Sequence, residues 1–229
     1  MKVLHADALD FRFEPRRWAF ADDRRVEIDA HFAETQRANP RLWNGRVLIL
    51  NDWSLNAGIA SGTFLETDYA SFRAWLDWGR PDAGVMDCFA SAVVVASDGA
   101  FLLGEMAAHT ANAGRVYFPC GTPGLEDVRG GKVDLAYSLG RELREETGLD
   151  IAQFSDEPGW TVIEGRSRLV VFKIVRAPWP GEELKACVLR FLQDGGDDEL
   201  AAIHLVRGPE DLAPSMPDYV AAFFRARWI

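Results

Sequence analysis

Strand-like and helix-like segments alternate along the chain, and from residue 86 this alternation limits the fold class. Apolar runs over 88–96 and 101–105 flank Asp98-Gly99, a dipeptide typical of a β-hairpin turn. Further strands are predicted over 114–118, 160–164, 168–175 and 199–206, and helices over 135–147, over 182–193 and from Asp218 onward. Strands and helices mixed in this way predict an α/β or α+β domain.

Residues 1–85 differ from the rest, and we predict that they form an N-terminal extension packing on a domain over 86–229. Its predicted elements are a helix from Asp22 or Asp23 to about Pro40, a strand over 46–50 and a helix over 69–78 capped by Thr67. The aromatic residues of the second helix fall at helical spacing, so we expect them to pack in the core.

Charge and composition exclude two protein classes. Of the 229 residues 48% are apolar, which is enough for a packed core and rules out global disorder. The 35 acidic residues outnumber 25 basic ones, for a net charge of −10. A groove for a nucleic-acid polymer needs Lys and Arg to replace phosphate counterions, so this net charge argues against a nucleic-acid-binding protein. An acidic chain that bound a small phosphate would therefore need another source of positive charge.

The cysteine pattern and the apolar runs predict a compartment. Cys88, Cys120 and Cys187 are odd in number and far apart, so neither a disulfide framework nor a zinc motif is expected. The first 17 residues lack the apolar stretch of a signal peptide, and the run over 89–96 is too short to span a bilayer. We expect a reduced, cytoplasmic protein without a membrane partner.

The segment 141–149, with the sequence RELREETGL, is unusual for an amphipathic helix. At about 100° per residue, Glu142 and Glu146 lie roughly 20° to either side of Leu135, which belongs to the apolar stripe. A solvated acidic face would lie opposite that stripe. The carboxylates also repel each other and oppose the helix dipole. Three carboxylates in one turn suit Mg²⁺ or Mn²⁺; the alternative is a surface helix held by Arg–Glu pairs.

The same nine residues resemble the Nudix hydrolase family. They match half of its motif, R-E-U-x-E-E-x-G-U, at every specified position, and the Phe118-Pro119 entry to the preceding loop also looks Nudix-like. The resemblance covers about residues 86–215 and implies an α/β/α sandwich with a mixed central sheet. The stretch 67–75 is faintly similar to the extra region of the UDP-sugar-cleaving Nudix group.

The upstream half of the family motif, G-x5-E-x7 before the Arg, departs from the pattern. Counting back from Arg141 places Val133 at the Glu position. Anchoring on Phe118-Pro119 instead makes Gly121 the motif glycine and places Asp127 at the Glu position, with thirteen residues rather than seven between it and Arg141. This spacing predicts a six-residue insertion in the loop around 126–131.

The resemblance implies hydrolysis of a nucleoside diphosphate linked to another group, with a nucleoside diphosphate sugar or ADP-ribose favoured. Glu142, Glu145 and Glu146 would bind Mg²⁺ or Mn²⁺, and Arg141 would orient a helix carboxylate. Glu142 is the first choice for the base that activates a water. Some family members carry that base on a distal loop, for which the candidates are Glu183, Asp197, Asp198 and Glu199.

Several other polar residues can contact a diphosphate or a sugar. The candidates are His109, Asn112, Arg115 and Gly121, followed by Arg166, Arg168 and Lys173. For any one of them, a polar hairpin or a solvated surface side chain is the favoured explanation. Cys120 has no His partner, which argues against a nucleophile. The alternative function is a non-catalytic nucleotide-binding regulatory module on the same fold, and an isomerase is a third. Family members are often dimers, so a homodimer is an expectation.

Overall fold

The computed structural model describes residues 1–196 and 198–228, which form two β-sheets surrounded by helices. The strands are β1 (Lys2–Ala6), β2 (Ala8–Arg17), β3 (Arg46–Asn56), β4 (Ile59–Asp68), β5 (Asp87–Val95), β6 (Phe101–Met106), β7 (Val116–Tyr117), β8 (Val128–Arg129), β9 (Lys132–Val133), β10 (Ser155–Asp156), β11 (Trp160–Glu164), β12 (Arg168–Arg176) and β13 (Leu200–Val206). The helices are α1 (Ala19–Asp23), α2 (Arg25–Ala38), α3 (Tyr69–Asp77), α4 (Leu135–Thr147), α5 (Gly181–Gln193) and α6 (Asp218–Trp228).

The larger sheet has eight strands and runs β1-β11-β12-β5-β6-β13, with β10 on β12 and β7 on β6. Strands β5 and β12 are parallel, whereas β11 pairs antiparallel with β12. All nine residues of β5 are buried, as expected of a strand covered on both faces. The predicted α/β class with a mixed central sheet is therefore confirmed.

Aromatic packing fixes where the loop before α4 leaves this sheet. Helix α6 places the Phe223 ring 5.2 Å from that of Phe172 in β12. Phe118, directly after β7, lies 5.5 Å from Phe172 and 5.6 Å from Phe223, measured between ring centroids. Burial of this cluster holds the loop that begins at Pro119 over the end of the sheet, next to α4.

The smaller sheet runs β3-β4-β2-β9-β8 and draws strands from both parts of the chain. Its strands β8 and β9 have two residues each and form a hairpin over 128–133 with Gly130-Gly131 as the turn, at φ of 57° and 78°. Lys132 pairs with Arg12 of β2, and its Nζ lies 2.7 Å from Asp10. The insertion, predicted as loop, is therefore a hairpin in the sheet of the extension. Conversely, strand β1 of the extension pairs with β11 in the larger sheet.

Three details of the extension correct the predictions. Asp68, not Thr67, caps α3 by accepting a hydrogen bond from the Ser71 N–H (3.0 Å), because Thr67 is buried within β4. The chain is already helical in α1 before Asp23, so neither Asp22 nor Asp23 caps α2. Strand β3 also continues well past residue 50 and pairs with β4, which was not predicted.

Two further observations concern the chain as a whole. Among the residues that the structure describes, no helix is long and apolar enough to cross a membrane. Cys88, Cys120 and Cys187 all have free thiols, as their spacing predicts.

Candidate active site

Helix α4 presents its three glutamates at different depths. It begins at Asp134, whose side chain accepts the Tyr137 N–H, and ends at Gly148, whose φ of 71° is easy for glycine. Glu146 is only 3% exposed and the Glu142 side chain 13%, whereas that of Glu145 is 52% exposed. The prediction from helical geometry is thus confirmed, since the two carboxylates nearest the leucine stripe are the buried ones.

Arg141 is the centre of an ion-pair network. Its Nε and Nη2 donate to the two carboxylate oxygens of Asp127 at 3.3 and 3.0 Å. Its Nη1 lies 2.8 Å from Glu142 Oε1 and 2.9 Å from Glu145 Oε2. Burial alone would lower the pKa of Arg141, but the hydrogen bonds to Asp127 and the charges of Glu142, Asp127 and Glu145 raise it above its ordinary value. The guanidinium is therefore permanently charged.

Asp127 is fully buried and satisfied by this network. Besides the two bonds from Arg141, its carboxylate accepts the Gly124 N–H at 3.0 Å. Its carbonyl accepts the Asp134 N–H at 2.8 Å, which ties the 3₁₀ turn Leu125–Asp127 to the start of α4. Asp127 thus contacts Arg141 across the hairpin that separates them in sequence.

Glu142 lies directly beneath Gly121. A Cβ built at Gly121 would overlap the Glu142 carboxylate, so the close approach requires glycine at this position. Burial raises the pKa of Glu142 to about 7, although the neighbouring Arg141 opposes this.

Glu146 binds the backbone of the same loop. Its Oε1 accepts the Cys120 N–H at 3.1 Å. Burial and the neighbouring charges of Glu146 and Glu142 raise the pKa of the Cys120 thiol well above its ordinary value. A protonated thiol is a poor nucleophile, which agrees with the interpretation of Cys120 as non-catalytic.

A cleft of about 1040 Å³ lies between the extension and the larger sheet. It brings together Glu142 and all four predicted substrate contacts, His109, Asn112, Arg115 and Gly121. Arg166 and Arg168 also line it. Lys173 does not, because its Nζ donates instead to the carbonyls of Glu157 (2.7 Å) and Gly159 (3.2 Å). Arg141, Glu145 and Glu146 are not among the described residues that line the cleft.

Some of the cleft residues already have partners. His109 Nε2 is 3.3 Å from Asp198 Oδ1, and Arg41 Nη1 is 2.6 Å from Asp198 Oδ2. The hydrogen bond from Arg41 lowers the pKa of Asp198. Asn112 Nδ2 donates to the Tyr117 hydroxyl at 3.2 Å.

The lining of the cleft also distinguishes among the candidates for a catalytic base on a distal loop. Asp198 and Glu199 line it. Glu183 is exposed in the first turn of α5 and is not part of the described lining. Asp197 lies outside the described residues.

The extension contributes residues that the sequence did not indicate as site residues. Among the residues that the structure describes, seven arginines line the cleft: Arg41, Arg46, Arg73, Arg80, Arg115, Arg166 and Arg168. Four of them come from residues 1–85, as does Trp43, which is 75% exposed. A sequence signal for them is lacking because their convergence depends on how the two sheets meet.

The three helix carboxylates suit a hard divalent cation in their chemistry, since all their donors are carboxylate oxygens. In the structure, however, these three carboxylate groups are not arranged around one common point. Within residues 1–196 and 198–228, no three His, Cys, Asp or Glu side chains are placed to share a metal ion. Arg141 Nη1 instead lies between Glu142 and Glu145. The donor set fits Mg²⁺ or Mn²⁺, but a closed metal site is not preformed.

Comparisons with known proteins identify similar solved structures. No family model and no curated protein sequence matches the chain. Among solved structures, it is similar to a MutT protein from Methanosarcina mazei Go1 (20% identity, 62% of this chain and 91% of that chain, TM-score 0.42). A putative Nudix hydrolase family member from Chromobacterium violaceum matches at 21% identity over 62% and 77% of the two chains, with a TM-score of 0.40. An Ap4A hydrolase from C. elegans matches at 15% identity over 52% and 78%, with a TM-score of 0.37. The solved structures that this chain resembles thus include MutT and Nudix proteins.

Proposed function

We propose that this protein is a Nudix-type hydrolase that uses a divalent cation to cleave the diphosphate bond of a nucleoside diphosphate linked to another group. The observation that carries the proposal is the placement of Glu142. It is part of the family-like segment 141–149, it is held by Arg141, and it faces a cleft lined by seven arginines. Carboxylates for a metal and guanidinium groups for phosphate are the two requirements of this reaction.

The proposed roles follow from the contacts. Glu142, Glu145 and Glu146 would hold Mg²⁺ or Mn²⁺, which when bound polarises phosphoryl oxygens and lowers the pKa of a water. Arg141 orients Glu142 and Glu145 through one nitrogen while Asp127 holds its other two. Glu142 would take the proton of the attacking water, because it is the one of the three that lines the cleft. Asp198 and Glu199 are the remaining distal alternatives.

The size and lining of the cleft support a substrate with two parts, such as a nucleoside diphosphate sugar or ADP-ribose. Its volume of about 1040 Å³ is at the upper end for a small-molecule site. Trp43 offers an exposed ring for stacking a base, and His109 and Asn112 offer polar groups for a sugar. The three free thiols agree with the reduced, cytoplasmic location that we propose with it.

A non-catalytic nucleotide-binding module is the second candidate, and one observation favours it. Arg141 engages both Glu142 and Glu145, and no metal-binding trio is formed among the described side chains. Such a module would bind a nucleotide tightly without turning it over.

A turnover screen separates the two. The full chain with Mg²⁺ or Mn²⁺ would be given nucleoside diphosphate sugars, ADP-ribose, dinucleotides and triphosphates, with release of nucleoside monophosphate or phosphate as the readout. We expect hydrolysis of a diphosphate-linked compound that EDTA abolishes. Glu142→Gln should lower kcat by about 10²-fold or more, as loss of a general base does.

Glu145→Gln and Glu146→Gln should weaken activation by the metal, while Glu34→Gln on the exposed face of α2 should behave as wild type. Absence of turnover with every compound, or unchanged turnover in all three glutamine variants, would sink the hydrolase assignment. Tight nucleotide binding without turnover would then support the binding module.

A further inference from the structure

Arg80 has an unusual backbone conformation for an arginine. Helix α3 ends with the Gly79 N–H bonded to the Leu76 carbonyl (3.2 Å) and the Arg80 N–H bonded to the Trp75 carbonyl (2.8 Å). After the C-cap residue Trp78, the next two residues have positive φ, 77° at Gly79 and 62° at Arg80. The left-handed region favours glycine, and a residue before a proline, here Pro81, is normally extended. The fold therefore holds this arginine in a strained position.

The Arg80 side chain lines the cleft and makes no hydrogen bond or ion pair with the residues that the structure describes. Its guanidinium carbon is 5.7 Å from the ring centroid of Trp75, which is fully buried. Its Nε is buried and has no hydrogen-bond partner among the described residues. A buried donor left unpaired is costly, so a group that satisfies it when present is expected. By contrast, Arg41 and Arg73, also in the cleft, are bonded to Asp198 and Asp77.

Arg168, from β12 in the larger sheet, lines the same cleft as Arg80. Its Nε is 2.7 Å from Asp87 Oδ2, and both arginines and Asp87 line the cleft. Burial and the positive charge of Arg168 lower the pKa of Arg80, while Asp87 opposes this. The described ion pair of Asp87 is with Arg168, so the Arg80 guanidinium is not neutralised by an ion pair with any described residue.

We propose that Arg80, from the N-terminal extension, and Arg168 form an anion site that binds a phosphoryl group of the substrate. A guanidinium fork matches two oxygens of a phosphoryl group, and Trp75 beneath the Arg80 fork limits its rotation. Glu142 and Gly121 line the same cleft as these two arginines, so the site and the carboxylate lie in one cleft. The inference rests on the proposed function only in assigning the phosphoryl group to a substrate.

Binding of inorganic pyrophosphate and of ADP tests the site apart from catalysis. Both would be titrated calorimetrically into the metal-free full chain in EDTA, using wild type, Arg80→Gln, Arg80→Gly and Arg24→Gln. Arg24 is the matched control, because its guanidinium also lies over a tryptophan (Trp78, 5.0 Å) but is paired with Glu27 and lies outside the described lining of the cleft.

We expect pyrophosphate to bind wild type and Arg24→Gln equally and both Arg80 variants at least ten-fold more weakly. Arg80→Gly should melt at or above the wild-type temperature, since glycine accepts the left-handed backbone. Weaker binding at undiminished stability is a result that a merely structural Arg80 would not give. Wild-type protein that binds neither anion, or an Arg80→Gln variant within two-fold of wild type, would overturn the site. Failure of the turnover screen would leave this measurement intact, so the two proposals fail separately.

Discussion

Replacing the buried Asp127 by asparagine should destabilise the protein, because it removes a charge that holds Arg141. The carboxylate accepts two hydrogen bonds from Arg141 and one from the Gly124 N–H. Breaking a buried ion pair by removing one partner costs about 3–5 kcal/mol. Arg141 keeps Glu142 and Glu145 at 2.8 and 2.9 Å, and asparagine keeps one acceptor, so we expect about 2–3 kcal/mol for Asp127→Asn. In a domain of this size that lowers Tm by roughly 5–10 °C.

The measurement is urea unfolding followed by tryptophan fluorescence, with the m-values compared to check that the unfolding reaction is unchanged. Glu126→Gln is the matched control, since Glu126 lies 3.7 Å from the same guanidinium but is 57% exposed. An exposed pair of this kind is worth about 0.5 kcal/mol or less. Equal free energies of unfolding for Asp127→Asn and Glu126→Gln would refute the reasoning, because burial would then make no difference.

Two other substitutions test single contacts. Gly121→Ala should lower kcat at nearly unchanged Tm, because the added Cβ displaces the Glu142 carboxylate. The control is Gly165→Ala in the same cleft, since a Cβ there would make only ordinary contacts. Equal kcat values for the two variants would contradict this prediction. Burial alone would raise the pKa of Asp68, but hydrogen bonds from Arg25 and Ser71 lower it below its ordinary value. Asp68 therefore stabilises the fold above about pH 4 and loses this effect as pH falls through its lowered pKa. Asp68→Asn, which keeps the cap, should cost about 1 kcal/mol at pH 7 and much less at pH 3 in urea unfolding, and a pH-independent difference would contradict the assignment.

Local sequence signals were sufficient for α4 but not for the sheet of the extension. The leucine stripe, the Asp134 cap and Gly148 all act within one helix, and the structure has α4 as predicted. Strand β9 instead depends on pairing Lys132 with Arg12, 120 residues away. Gly130-Gly131 was a turn signal, but its two flanking strands have only two residues each, too few for a periodic pattern. Long-range pairing decided the structure of the insertion.

The candidate site likewise has one part that the sequence predicts and one part that it does not. The spacing within segment 141–149 was enough to rank the burial of its glutamates, because all three lie on one helix of known geometry. Arg80 carries no such signal. Its proposed role depends on a helix end, on a tryptophan beneath its guanidinium and on a strand of the other sheet that lines the same cleft. Those features meet only after the chain has folded.

The distribution of charge explains how so acidic a chain can accept a small anion. Seven arginines and six carboxylates line the cleft, whereas the whole chain has 25 basic and 35 acidic residues. At physiological salt, charges act over about 8 Å, so a ligand in the cleft responds to the arginines around it rather than to the net charge of −10. Because four of the seven arginines belong to residues 1–85 and the helix glutamates do not, the extension supplies much of the positive charge that the family-like part of the chain lacks.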